Sequence, residues 1–155
     1  MAPRPYTRST RAQRVTDLDP AALAALDAYR ERSGLADDPR ATAIACVRTD
    51  FDHTTRRWWG GTRTEKGTTH AILTPSHLIT LLVDPSGSVS TIAYRVSDLE
   101  VRDYESSPGF QLLEDSGLSV TGFPPGASER STYFVGLGPE PDAVAFRDAV
   151  RAALT

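Results

Sequence analysis

A basic and aromatic stretch over residues 53 to 70, HTTRRWWGGTRTEKGTTH, holds the side chains best suited to recognition chemistry. Two adjacent tryptophans and four cationic side chains surround a Gly-Gly pair. The six candidate ligand-binding residues are Arg56, Arg57, Trp58, Trp59, Arg63 and Lys66. Arginine offers a planar fork of donors that matches phosphate oxygens, and tryptophan favours the interface between membrane and water. The stretch is therefore a candidate site for docking on an anionic surface.

The same stretch is also compatible with an ordinary hairpin. Gly60 and Gly61 would supply the positive φ angles of a tight turn, and adjacent tryptophans would point to opposite faces, one of them into the core. The nearby acids Asp50, Asp52 and Glu65 could neutralise several of the arginines. The sequence leaves both interpretations open.

The remaining reactive side chains form no recognised constellation. His53, His70 and His77 are scattered at predicted strand ends, and no cysteine or carboxylate stands at a metal-ligand spacing from them. Cys46, the single cysteine, lies in the apolar run AIACV, where a buried thiol is the ordinary interpretation. No phosphate-binding or dinucleotide-binding glycine motif follows a predicted strand. We therefore predict no catalytic residue, no metal and no cofactor.

Composition and charge favour a bacterial, cytoplasmic protein. The 155 residues are 39% hydrophobic, which is enough for one domain with its own core. A formal net charge of -3 argues against a surface built for stable binding to nucleic acid. A single cysteine excludes an internal disulfide and fits a reducing compartment, and no stretch approaches the roughly 18 apolar residues of a membrane span. The large excess of arginine over lysine is typical of a GC-rich bacterial genome.

The first third of the chain divides into an arm and a helix. Residues 1–15 hold four arginines and no acid, without apolar periodicity, which predicts a flexible basic arm. In the next segment Asp19 and Pro20 suit a helix start and Gly34 suits a helix end. These signals predict a helix over residues 17–33.

Strand signals then alternate with turns from residue 41 to residue 138. Runs of strand length are separated by clusters of Gly, Pro, Ser and Asp. The predicted strands cover residues 41–47, 69–74, 76–84, 90–96, 98–104, 117–123 and 130–138. A closing amphipathic helix over residues 141–154 carries an apolar stripe that includes Phe146, and we expect it to cover an open end of the strands. The arm aside, residues 16–155 are predicted to form a single domain.

The order of these segments resembles the bacterial pleckstrin-homology-like and GRAM-like domains. The resemblance rests on HAILTPSHLITL, TIAYRVSDLEVRDY, GLSVTGF, RSTYFVGL and PDAVAFRDAVRAAL, and it runs from about residue 40 to residue 154. His77 departs from it, since the family often has an arginine there. The resemblance implies an α+β, mainly β fold, a partly open antiparallel barrel of seven strands capped by the C-terminal helix, with the N-terminal helix as an addition. Phosphoinositide-binding relatives keep a basic loop among their first strands, where residues 56–66 would lie.

These observations favour a non-enzymatic binding module that recognises an anionic lipid or a protein partner through barrel loops. One alternative is a self-assembling protein whose exposed strands pair between subunits of a homo-oligomer. Another is a small-ligand-binding or hydrolytic enzyme that uses the barrel cavity. The expected location is the cytoplasm, at the periphery of the membrane if the lipid is the ligand.

Overall fold

The computed structural model describes residues 6–155, which form two antiparallel sheets and three α-helices. The strands are β1 (Tyr6–Ala12), β2 (Ala45–Arg56), β3 (Thr62–Leu73), β4 (His77–Val83), β5 (Val89–Arg95), β6 (Glu100–Asp103), β7 (Gly117–Gly122) and β8 (Ser131–Gly136). The helices are α1 (Pro20–Ser33), α2 (Pro39–Thr42) and α3 (Pro141–Ala153). Strands β1 to β5 form one sheet in chain order, and β6 to β8 form the second. The predicted α+β, mainly β class is confirmed, but the strands do not close into a barrel.

The centre of the five-stranded sheet is buried on both faces. Along β4, Leu78 packs toward the second sheet and α3, whereas Ile79 and Leu81 pack toward α1. The α1 side holds Val15, Leu18, Ala22, Leu26, Tyr29, Cys46, Ile72, Ile79, Leu81 and Ala93. Two-sided burial accounts for the continuous apolar runs in β3 and β4, because both faces of these strands must be apolar.

Both long helices lie where the sequence predicts them. Helix α1 begins at Pro20 after Asp19 and ends at Gly34, whose φ of 65° is the left-handed conformation of a helix end. The predicted start at residue 17 is three residues early, and Val15–Asp17 form a separate 3₁₀ turn. Helix α3 buries Phe146 against the core and packs on β1 and β2.

The first segment is not a free arm. Residues 6–12 form β1, which pairs along its whole length with β2. The predicted flexible arm is therefore wrong for these residues, and residues 1–5 lie outside the part of the chain that the structure describes. Buried Thr10 shares a hydrogen bond of 2.7 Å with the hydroxyl of Thr49 and accepts another from the Gly138 amide. Because polar contacts hold this strand, its sequence does not alternate between apolar and polar residues. The usual sequence signal of a strand is therefore absent from it.

The start of the first predicted strand also differs from the prediction. The strand expected at residue 41 begins at Ala45, because Pro39–Thr42 form a short helix that Asp38 caps through the Arg40 amide at 3.1 Å. The pairing expected across Pro75 is present, with Ile72 opposite Ile79. Within residues 6–155, no helix has both the length and the apolar character needed to cross a membrane.

The hairpin of β2 and β3 is longer than its neighbours. Each of the two strands has 12 residues. Among the described residues, β1 reaches only as far as His53 on β2, and β4 reaches only as far as Thr68 on β3. Within residues 6–155, residues 54–67 therefore pair only with each other, and this part of the hairpin projects beyond the neighbouring described strands.

Candidate docking site at the hairpin tip

A tight turn forms the end of the projecting hairpin. The Arg57 amide donates to the Gly61 carbonyl and the Gly60 amide donates to the Arg57 carbonyl, both at 3.1 Å. Gly60 and Gly61 have φ angles of 93° and 88°, in the region that only glycine adopts without strain. The Gly-Gly turn predicted from the sequence is confirmed. It holds Trp58 and Trp59 at the outermost point of the hairpin.

Both tryptophans face solvent. Trp58 is 91% exposed and Trp59 is 65% exposed. Their rings meet edge to face with centroids 5.5 Å apart, and the Arg57 guanidinium lies 5.5 Å from the Trp59 ring centroid. The expectation that one tryptophan enters the core is wrong, because the turn lies beyond the strands that bound the core. Two adjacent exposed tryptophans form an apolar patch of a kind that usually marks an interaction site.

Most of the cations at the tip have no acidic partner in the part of the chain that the structure describes. Arg56, Arg57 and Lys66 are exposed and make no ion pair with any residue in the described range. Arg63 pairs with Glu65 at 3.2 Å, but both side chains are at least half exposed. Such surface pairs contribute little and are screened by salt. The tip therefore presents a net positive charge beside its two indole rings.

The other two acids expected to neutralise the arginines do not reach them. Asp50 accepts hydrogen bonds from Arg48 at 3.1 Å and from the Thr68 hydroxyl at 2.8 Å, farther down the hairpin. Asp52 lies opposite Lys66 in the strand register without an ion pair between them. The predicted neutralisation is thus limited to the single contact of Glu65.

Five of the six predicted site residues line one shallow groove. The groove is formed by Thr55, Arg56, Arg57, Trp58, Trp59, Arg63 and Glu65. Lys66 lies outside it, in a neighbouring depression with Asp84 and Ser86. The three guanidinium groups around this groove can bind an anionic lipid head group. The two indole rings can at the same time contact the apolar part of the membrane next to the head groups.

Aromatic packing stiffens the base of the hairpin. The Phe51 ring lies directly over Gly67 on the opposite strand, where an added Cβ would come within 2.4 Å of the ring. The rings of Tyr6 and His53 stack with centroids 4.3 Å apart. Sequence reasoning did not assign these residues a role, although a glycine inside a strand can mark such a close approach. The base of the hairpin is thus ordered by packing and fixes the position of the tip.

Two of the other titratable candidates, Cys46 and His70, are buried. Burial raises the pKa of the Cys46 thiol to about 11, so it stays protonated. Buried His70 receives a 2.8 Å contact from Gln13 at Nδ1, and burial lowers the pKa of its imidazole. Among residues 6–155, no three His, Cys, Asp or Glu side chains are placed to hold a metal ion together.

No protein-family model, curated protein or solved structure matches this chain. The fold and the site define an α+β chain with a projecting hairpin whose tip is aromatic and cationic. Its resemblance to pleckstrin-homology-like domains stays a prediction. A function must therefore be argued from the chemistry of the tip.

Proposed function

We propose that this chain is a non-enzymatic binding module that docks its hairpin tip, residues 56–66, on an anionic lipid membrane. The observation that carries the proposal is the exposure of Trp58 and Trp59 beside cations that have no acidic partner among residues 6–155. Tryptophan gains free energy at the membrane interface, where its ring contacts apolar chains and its N–H meets water. The surrounding arginines match lipid phosphates.

The energies suit weak and reversible association. Three unpaired cations contribute about 1 kcal/mol each near an anionic bilayer. Each tryptophan that buries half of its surface adds about 2 kcal/mol. The cost of restricting the molecule at the surface offsets part of this sum, and the remainder corresponds to a dissociation constant between about micromolar and millimolar.

The order of strands agrees with a pleckstrin-homology-like assignment, which we include in the proposal. Apart from β1, α1 and α2, the described residues form seven strands, β2 to β8, followed by α3. The tip joins the first two of these strands, in the region where phosphoinositide-binding relatives keep their basic loop. In this proposal the protein is cytoplasmic and peripheral to the membrane.

Vesicle binding tests the proposal, because salt separates its two energy terms. We expect clear binding to vesicles that contain phosphatidylglycerol, and only the weak, salt-resistant part of that binding to purely zwitterionic vesicles. Arg56→Ser/Arg57→Ser should weaken binding at low salt, where charges act over about 10 Å or more. Trp58→Ser should remove much of the binding that persists in high salt, without changing the melting temperature.

A matched control removes charge elsewhere. Arg11 and Arg102 are exposed and make no ion pair within residues 6–155, so Arg11→Ser/Arg102→Ser lowers the net charge equally. This variant should bind vesicles nearly as well as the wild type. The proposal is wrong if the wild type does not bind acidic vesicles at low salt, or if the control loses as much binding as the tip variant.

A further inference from the structure

A second polar cluster surrounds the turn between β3 and β4. The Thr74 amide donates to the His77 carbonyl at 2.8 Å. The Thr74 hydroxyl accepts from the amides of Ser76 and His77 at 3.3 Å and 3.0 Å. Thr74 itself is buried. This turn therefore holds Ser76 and His77 in fixed positions.

Three side chains of this cluster form a chain of hydrogen bonds. The Ser76 hydroxyl bonds to Oδ2 of Asp37, which belongs to the loop between α1 and α2, and it lies 2.8 Å from Nδ1 of His77. The hydroxyl has one proton, and the carboxylate can only accept. Ser76 therefore donates to Asp37, and the proton between Ser76 and His77 must come from Nδ1.

The arrangement leaves Nε2 of His77 as an open acceptor. Burial lowers the pKa of His77, with Asp37 opposing this effect and Arg95 adding to it, so the ring is neutral at neutral pH. A neutral ring that carries its proton on Nδ1 has a lone pair on Nε2. Within residues 6–155, that atom has no hydrogen-bond partner, and it is not among the enclosed polar atoms.

His77 lines a cavity of about 270 Å³. The cavity is bounded by Ser33, Gly34, Leu35, His77, Arg95, Phe123, Pro124, Pro125, Gly126 and Ala127. Among the described residues that line the cavity, Arg95 is the one with a formal charge. Its guanidinium forms an ion pair with Asp98 at 2.9 Å, which leaves part of its donors available. The carboxyl end of α1 also reaches the cavity, and a helix carries partial negative charge at that end.

We propose that this cavity binds a small carboxylic acid that also carries a hydroxyl or ammonium group, with that group donating to Nε2 of His77 and the carboxylate resting on Arg95. The acceptor Nε2 and the end of α1 both favour a donor on the ligand, whereas Arg95 favours an acid. The apolar wall of Phe123 and the two prolines favours a short carbon chain between the two groups. A volume of about 270 Å³ suits a small ligand with a short carbon chain.

Ring nitrogen NMR on the whole protein tests both the tautomer and the binding. The free protein should show His77 neutral with its proton on Nδ1. Addition of 3-hydroxybutyrate or 3-aminobutyrate should shift the Nε2 resonance saturably, with a dissociation constant of about a millimolar, as expected for ligands of this size. Butyrate lacks the donor and 2-butanol lacks the acid, so each should bind at least about tenfold more weakly. The two active probes also distinguish a hydroxyl from an ammonium group as the preferred donor.

Substitutions separate the roles of the residues. Ser76→Ala removes the acceptor for the Nδ1 proton, so the proton of His77 should move to Nε2. The cavity should then lose most of its affinity for 3-hydroxybutyrate, because Nε2 no longer accepts. Arg95→Gln should abolish the preference for 3-hydroxybutyrate over 2-butanol. Ser97→Ala is the matched control, because Ser97 is exposed and lies outside the cavity.

Two results would overturn the inference. One is a wild-type His77 with its proton on Nε2. The other is the absence of a saturable shift with either probe up to about 50 mM, which is far above the expected dissociation constant. Arg56→Ser/Arg57→Ser should leave these shifts unchanged, so the failure of the membrane proposal and the failure of this one are distinguishable.

Discussion

Replacement of Asp115 by alanine is expected to destabilise the protein by about 3 to 5 kcal/mol, because it leaves the Arg8 guanidinium buried without its counter-charge. Two oxygens of Asp115 accept from Nε and Nη2 of Arg8 at 2.7 Å and 2.8 Å. The side chain of Asp115 is 4% exposed and that of Arg8 is 8% exposed. The pair joins β1 to the segment before β7, and so links the two sheets.

The size of the loss follows from the surroundings of Arg8. Its guanidinium lies 4.7 Å from the ring centroid of Tyr6 and 5.2 Å from those of Phe51 and Phe134. These rings keep water away, so the charge cannot be solvated once the carboxylate is removed. Conversion of both partners, as Arg8→Met/Asp115→Leu, removes the charge as well as the acid and should cost much less than Asp115→Ala alone.

Urea denaturation of the wild type, Arg8→Met, Asp115→Leu and the double variant gives the coupling between the two residues, and Asp115→Ala is measured beside them. The reasoning is refuted if Asp115→Ala costs less than about 1 kcal/mol, or if the double variant loses the sum of the single losses. The amide of Ser116 also donates to Asp115 at 2.7 Å. It loses this acceptor in Asp115→Leu and in the double variant alike, so this loss does not contribute to the coupling energy.

Two further predictions concern the core. Phe146→Ala should cost about 3 to 5 kcal/mol in urea denaturation, because this ring is 1% exposed, whereas Val144→Ala on the outer side of the same helix should change stability by less than about 0.5 kcal/mol. Equal effects would place Phe146 outside the core. The pKa of Cys46, raised from 9.0 to about 11, favours the folded state while the thiol is protonated, so its contribution should be complete below pH 9 and lost as the pH rises toward 11. The loss should be at most about 2 to 3 kcal/mol, and Cys46→Ala should lack it when both proteins are denatured across this range.

The elements that sequence reasoning located correctly carry their signals locally. Helix α1 has its start and stop residues within its own segment, and β4 is a run of apolar residues next to a turn. Strand β1 has no such signal, because its stability depends on distant groups. The Thr10 amide donates to Glu140 at 2.9 Å, and the Ala12 amide donates to Asp142 at 2.8 Å. Contacts that span some 130 residues cannot be predicted from a pattern of neighbours.

The same distinction applies to the two sites. The residues of the hairpin tip are nearly consecutive, so the sequence brings them together whatever the fold. The direction of Trp58 and Trp59 depends on how far the neighbouring strands extend, which is a tertiary property, and the expected inward ring was therefore wrong. The hydrogen bonds that run from Asp37 through Ser76 to His77 join residues that are 39 positions apart. No spacing motif in the sequence indicates this contact.

The hairpin tip and the His77 cavity lie at opposite ends of β3, because the tip precedes Thr62 and the turn with Ser76 follows Leu73. A strand of 12 residues spans roughly 40 Å, several times the distance over which charges act at physiological salt. A tip docked on a membrane would therefore leave the cavity in water, beyond the reach of the lipid charges. Coupling between the two sites would need a second arrangement of β3 that one ligand favours, and the part of β3 near the cavity is packed on both faces, which makes such an arrangement costly. We accordingly expect membrane association and small-ligand binding to be independent of each other.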